Sequence, residues 1–209
     1  MRARTYVYVD AFNLYYGALK GTPYKWLDLS KLCNLLLPKN DVVSIKYFTA
    51  LVNARPHDPD QPLRQQLYLR ALRASGVEII YGHFLSHVVA MPLAGSQSPK
   101  PQMVDVIKTE EKGSDVNLAT HLLFDGFRDR YEAAVVVSND SDLLLPIKIV
   151  REELKKKVGL LIPYRQHPSR VLVRNVDFVK KIRQGVLKVS QFPPFLKDEK
   201  GVFHKPSSW

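Results

Sequence analysis

The chain has 209 residues, 45% of them hydrophobic, enough for one sizeable core and short for two, so a single domain with appendages is the default. Lysine plus arginine outnumber aspartate plus glutamate by 31 to 20, and the resulting charge of +11 points to a polyanionic partner as readily as to a merely solvated surface. The opening MRARTYVYVD lacks the apolar run of a signal peptide, no later run is long enough to span a bilayer, and the one cysteine, Cys33, excludes an internal disulfide and a multi-cysteine zinc site, so a cytoplasmic protein is expected.

The chain alternates short β-branched or aromatic runs with segments of helical period, the pattern of a parallel α/β sheet. TYVYV at 5 to 9 is the first strand. LDLSKLCNLLL at 27 to 37 reads as a helix with Asp28 at its start and Pro38 as its stop. VVSIKYFTALV at 42 to 52 is strand-like, QPLRQQLYLRALRASG is a helix capped by Gly76, and VEIIYGHFL at 77 to 85 is a third strand. Residues 86 to 104 hold three prolines and little period, which predicts a long excursion with at most a short hairpin. SDVNLATHLLFDGF at 114 to 127 is a helix with Ser114 as its expected N-cap, and AAVVVS is an uninterrupted apolar strand, covered on both faces and therefore central. DLLLPIKIVREEL is a helix with Pro146 near its first turn, KVGLLIP closes the sheet, and SRVLVRNVDFVKKI is a docking helix. The domain is expected over 1 to 185, with 186 to 209 as a C-terminal tail.

Acidic residues stand where strands give way to helices. Asp10 ends TYVYV, Asp115 begins the 114 to 127 helix, and Asp140 and Asp142 come after AAVVVS in SNDSDLLLPI. Each alone is a plain helix cap, because a short carboxylate satisfies orphan amides and complements the helix dipole. Together at one sheet edge they would repel, and cations, protonation or separation must offset that. Hard divalent ions such as Mg2+ and Mn2+ suit an all-oxygen donor set and can activate water on a phosphodiester. No P-loop, G-x-G-x-x-G or H-E-x-x-H spacing is present. Between Lys148 and Lys188, twelve basic residues face three acidic ones, which places the polyanion candidate surface there.

VDAFNLYYG, EKGSDVNLATHLL and AAVVVSNDSDLLLPI, in that order, resemble the successive motifs of the NYN domain, in the LabA-like branch of the PIN-like nuclease superfamily. The resemblance spans about Thr5 to Ile162, and NVDFVKKI is similar to the family's closing segment. It implies a Rossmann-like, mostly parallel sheet flanked by helices and a divalent-metal-dependent ribonuclease using Mg2+ or Mn2+. Carried onto this chain, it implies metal ligation and catalysis by Asp10, Asp115, Asp140 and Asp142, with Asn13 positioning the phosphate or a water. The chain departs from the family's pattern at His121, where an acid is usual, and at Asn139, where glycine is usual. A lone histidine in an apolar helix reads as packing. With RNA as the partner, Arg165, Arg170, Arg174, Lys180 and Lys181 are candidates for backbone contacts, and Tyr15, Tyr16 and Tyr164 for base stacking. No membrane is expected, and association with copies of itself is open. The alternative from another class is an RNA-binding or regulatory protein on the same fold with little catalysis.

Overall fold

The computed structural model describes residues 2–95, 101–163, 165 and 167–209. Six parallel strands form the main sheet: β1 (Ala3–Asp10), β2 (Asn40–Thr49), β3 (Glu78–Tyr81), β6 (Ala133–Val137), β7 (Lys157–Pro163) and β8 (Phe178–Ile182), in the order β3-β2-β1-β6-β7-β8. The chain builds outward from β1 through β2 and β3, then returns to β6 on its other side and builds outward again. The switch point therefore lies between β1 and β6, which pair in register from Thr5 with Ala133 to Val9 with Val137. Ligands of open α/β sheets bind at the carboxyl end of such a point.

Side chains alternating along the strands feed two cores. Val7, Val9, Tyr47, Val135 and Val137 pack with α2 (Leu29–Leu36) and α3 (Gln61–Ala74) on one face. Tyr8, Phe48, Ala134 and Val136 pack with α4 (Ser114–Phe127) and with Ile147 of α5 (Leu144–Lys148) on the other. Every residue of β6 is buried, as its uninterrupted apolar run predicts. Asp28 caps α2 by accepting a bond from the Lys31 amide at 3.0 Å, and Gly76 takes a φ of +82° after α3.

Several expectations change. The third strand is not continuous over 77 to 85: β3 stops at Tyr81, and the chain leaves the main sheet at Gly82. A Cβ there would lie 2.5 Å from the Lys112 carbonyl and 2.9 Å from the Ser114 amide, so only glycine lets this crossing pass under the start of α4. The excursion is instead a long ribbon, with β4 (His83–Pro92) pairing antiparallel along ten residues with β5 (Met103–Lys112); the part of the excursion over 96–100 lies outside the described residues. Ser114 is the first helical residue rather than the cap: Gly113 occupies the cap at φ +94°, and the Glu111 carboxylate accepts the Ser114 amide at 3.1 Å.

The expected docking helix is short, α6 (Arg170–Arg174), and the chain after it forms β8, a sixth strand, so β7 does not close the sheet. Gly159 explains the register, because the space of its missing side chain is filled by the Phe178 ring, which a Cβ would meet at 2.1 Å. The segment 186–209, expected as a tail, continues α7 (Gln184–Val189) into a hairpin of β9 (Phe195–Asp198) and β10 (Gly201–His204). It joins the first core: the fully buried Trp26 donates to the Pro193 carbonyl at 2.8 Å and packs its ring against Phe192, Phe203 and Trp209. Among the described residues no helix is long and apolar enough to cross a membrane.

Candidate active site

Register alone carries Asp10 and Ser138 to the same edge, each one residue past the paired ends Val9 and Val137. The Ser138 hydroxyl donates to one Asp10 oxygen at 2.9 Å, and the Asn13 amide donates to the other at 2.9 Å. Asp10 thus caps the short helix α1 (Ala11–Leu14) while its carboxylate is fixed from two sides. The same hydroxyl accepts the Asp140 amide at 3.1 Å, and Asp140 in turn accepts the Asp142 amide at 2.9 Å, capping the tight turn Ser141–Leu143. Asn13 closes the loop of contacts, its side-chain oxygen accepting the Asn139 amide at 3.1 Å. The first and last of the three sequence motifs are one hydrogen-bonded unit.

Asp115, in the first turn of α4, meets this unit electrostatically. Burial pushes the Asp10 carboxyl up to about 6; the bonds from Asn13 and Ser138 pull it down, and the charges of Asp115 and Asp140 raise it again. Burial likewise raises Asp115, with further pushes from Asp140, Glu111 and Asp142. Asp10 is only 5% exposed, yet among the described residues neither it nor Asp115, Asp140 or Asp142 is paired with a lysine or arginine. Capping explains the positions of Asp10 and Asp140; it leaves the accumulated negative charge uncompensated.

Among the described residues no three acidic, histidine or cysteine side chains converge into a finished metal cage. The donor set is nevertheless the chemistry a hydrated Mg2+ or Mn2+ takes: hard carboxylate oxygens, one or two in direct reach, with water completing the shell. The residues fit that ion in kind.

The remaining expected residues separate. Asn139 has a definite job: its side-chain NH2 donates to the His167 carbonyl at 2.8 Å and its side-chain oxygen accepts the Ser169 amide at 2.8 Å, so it ties the loop before α6 to the acidic edge. That brings Arg170, the first residue of α6, beside the site, with Arg174 at the helix's far end. Arg165 is tied to the 17–20 segment through its amide and guanidinium, the latter on the Lys20 carbonyl at 2.6 Å. Lys181 is exposed one residue before the end of β8. Lys180 faces the opposite way: its ammonium sits on the Leu36 carbonyl at 2.5 Å, among Ala3, Asn40 and Ala133 at the amino ends of the strands. Tyr164 lies outside the described residues.

His121 packs, its ring against Phe48 and one nitrogen 3.2 Å from the Lys46 ammonium; burial and then Lys46 lower its pKa. It belongs to a polar network the sequence does not announce. Asp125, fully buried in α4, accepts Lys46 at 2.6 Å, the Tyr8 hydroxyl at 2.9 Å and Arg130 at 2.9 Å. Glu111 is the acidic neighbour that sequence reading misses, and the Glu-x-x-Ser spacing ahead of the helix is the available signal.

Comparison with known proteins bears on the fold and the family. A solved structure of a protein of unknown function, VPA0982 from Vibrio parahaemolyticus RIMD 2210633, shares the fold with a TM-score of 0.58 at 18% identity, covering 88% of this chain and 94% of that one. A curated relative, 6-hydroxy-3-succinoylpyridine 3-monooxygenase HspA from Pseudomonas putida (strain DSM 28022 / S16), is 30% identical over 99% of this chain and 75% of its own. The NYN domain model matches residues 4–182, from the first strand through the sixth of the main sheet, with all four aspartates inside the match. This chain therefore belongs to the NYN domain family, within the PIN-like nuclease superfamily.

Proposed function

We propose that this protein hydrolyses RNA phosphodiester bonds at the acidic edge between β1 and β6. The observation that carries the reading is a buried carboxylate, Asp10, locked by two hydrogen bonds beside three further aspartates with no cationic partner among the described residues. Asp10, Asp115 and Asp140 would hold a Mg2+ or Mn2+ ion, with Asp142 assisting. When bound, the ion supplies Lewis acidity toward water and neutralises charge on the phosphodiester. Ser138 and the Asn13 amide keep the Asp10 oxygens in one orientation. The Asn13 side chain, held through its oxygen by Asn139, leaves its NH2 group for a phosphate oxygen. Arg170 supplies cationic charge next to the cleft, and Lys181 and Arg174 extend it, while Lys180 drops out of the contact surface.

A single-stranded RNA cleavage assay with Mn2+, Mg2+ or EDTA tests this, run with the parent and with folded Asp10→Asn and Asp140→Asn variants. Metal-dependent cleavage lost in both variants is the expected result. Cleavage that survives in both overturns it, and salt-sensitive RNA binding without cutting hands the fold to the RNA-binding alternative.

A second reading comes from the curated relative, whose name describes a monooxygenase acting on 6-hydroxy-3-succinoylpyridine. The observation on its side is a cavity beside Asp10 with room for one aromatic ring. A small heteroaromatic substrate would sit there rather than along the basic surface.

A further inference from the structure

Directly after Asp10, residues Ala11 and Phe12 form part of the wall of a cavity of about 170 Å3 set between α1, the end of β2 and the start of α3. A cavity of roughly 150 Å3 holds a benzene ring, so this one accepts a single six-membered ring and is small for a fused bicycle. Its walls are aromatic: Tyr15, Tyr47, Tyr68 and Trp209 line it, with the exposed Tyr16 at its side. Aromatic walls favour an offset or edge-on partner ring and are indifferent to its exact substituents.

The walls are also fixed in advance. Gln65 uses its whole side chain on the adjoining loop, donating to the Ala50 carbonyl at 2.8 Å and accepting the Val52 amide at 2.9 Å. The Tyr68 hydroxyl donates to the Leu27 carbonyl at 2.9 Å. Trp209 stands against Tyr68 at 5.8 Å between ring centres. Tyr47 is nearly buried and lines the cavity, where its phenol can exchange a hydrogen bond with a ligand's polar atom.

Charge at the cavity has a sign. Arg64 is neutralised by Asp58, with which it pairs through two contacts. Lys25 has no carboxylate partner among the described residues and stands 6.0 Å from the Trp209 ring centre. The charge of Asp10 reaches Tyr47, so a ligand that combines a planar ring with a negative group is favoured with that group on Lys25, the lining cation that has no carboxylate partner among the described residues.

We infer that this cavity is a binding site for one six-membered heteroaromatic ring carrying an anionic group, the ring seated among Tyr15, Tyr47 and Trp209 and the anion on Lys25. Two sources share that chemistry: a pyrimidine nucleotide unstacked from RNA lying at the acidic edge, and a free monocyclic heteroaromatic acid. The inference concerns binding and holds independently of which reaction the aspartates perform.

The test is fluorescence titration of the full chain in EDTA, so that no cleavage intervenes. Trp209, on the cavity wall, is the reporter, and the Trp209→Phe variant gives the background of the buried Trp26. The probes are uridine 5′-monophosphate, nicotinate, ribose 5-phosphate, an octamer of uridine and the same octamer with abasic positions. Saturable quenching by a ring-bearing probe and none by ribose 5-phosphate is expected. Tyr15→Ala and Lys25→Ala should each weaken binding about tenfold or more, with Trp209→Phe removing the optical signal while calorimetry still registers binding. An octamer that gains at least tenfold over the mononucleotide and loses it when abasic identifies RNA as the source. Nicotinate binding that no oligonucleotide exceeds identifies the free acid. Equal binding of ribose 5-phosphate, affinities unmoved by both wall variants, or no saturation by any probe at millimolar concentration overturns the site. Failure of the RNA cleavage assay leaves these outcomes unaffected, so the two ideas fail separately.

Discussion

Asp10 and Asp125 are both buried carboxylates with three or fewer hydrogen bonds each, yet their environments push them in opposite directions. At Asp125 burial raises the carboxyl, but the bonds from Lys46 and Tyr8, the charge of Lys46 and the bond from Arg130 together outweigh it and hold it below the ordinary carboxylate range. At Asp10 burial is joined by the charges of Asp115 and Asp140, two neutral donors are too weak an answer, and the group is left near 6. The first carboxylate has been given two cations, and the second has been denied any. A stable fold gains nothing from the second arrangement, and a perturbed, uncompensated carboxylate of this kind is the physical ground for the function proposed at this edge.

The sharpest way to break this contrast is by activity. If the edge is catalytic, Asp10→Asn lowers the rate of RNA cleavage on the order of 10³-fold, about 4 kcal/mol of barrier, while Asp125→Asn cuts at the parent's rate per folded molecule. Rates divided by the folded fraction from circular dichroism decide it. Stability should reverse the order. Asp125→Ala leaves the buried Lys46 with only the longer contact to the exposed Glu78 at 3.7 Å among the described carboxylates, and is expected to cost about 3 kcal/mol, read from urea midpoints. Asp10→Asn should instead leave the cation-free protein within about 1 kcal/mol of the parent at pH 7, since losing a poorly compensated charge offsets the hydrogen bond lost when one accepting oxygen becomes an NH2 group. A loss as large as that of Asp125→Ala would mean the carboxylate is structural after all.

The two carboxylates also differ in how they could be read. Asp10 and Asp140 are legible because local chemistry puts them there: an apolar run ends, an acid caps the next turn or helix, and strand register aligns the ends, while Asp115 is legible as the acid in the first turn of the helix at 114 to 127. Asp125 sits in the last turn of α4, in HLLFDGF, and Lys46 lies in SIKYF, a strand 79 residues away. Nothing in the spacing of either segment announces the partner, because the pairing exists only once α4 lies across β2. The same holds for the sixth strand of the main sheet. FVKKI alone does not declare itself between helix and strand, and what decides is Gly159 one strand over, where the Phe178 ring has room. The last 24 residues look dispensable until Trp26 is seen enclosed by Phe192, Phe203 and Trp209. His121 and Glu111 invert the lesson: the histidine in an acid's place left the site, and a strand-end glutamate to which the family pattern assigned no role joined its field.

The smallest expected effect comes from proton linkage and sharpens the comparison most. In the unfolded chain Asp10 releases its proton at the ordinary aspartate value of roughly 3.9. In the folded chain it does so near 6. Between those values the native state holds a proton the unfolded state has lost, so stability contributed by the protonated form is full below about 4, falls as pH rises, and is gone above about 6. Asp125 has the opposite sign: its folded pKa is depressed, so its contribution is present above about 4 and lost only as pH falls further. The cation-free parent should therefore lose a few degrees in Tm between pH 5 and 7 relative to Asp10→Asn, and millimolar Mn2+ at pH 7 should return part of that loss in the parent and none in the variant. Parallel Tm–pH curves for parent and Asp10→Asn, or an equal Mn2+ shift in both, would place the uncompensated charge elsewhere and remove the physical grounds for a cation at this edge.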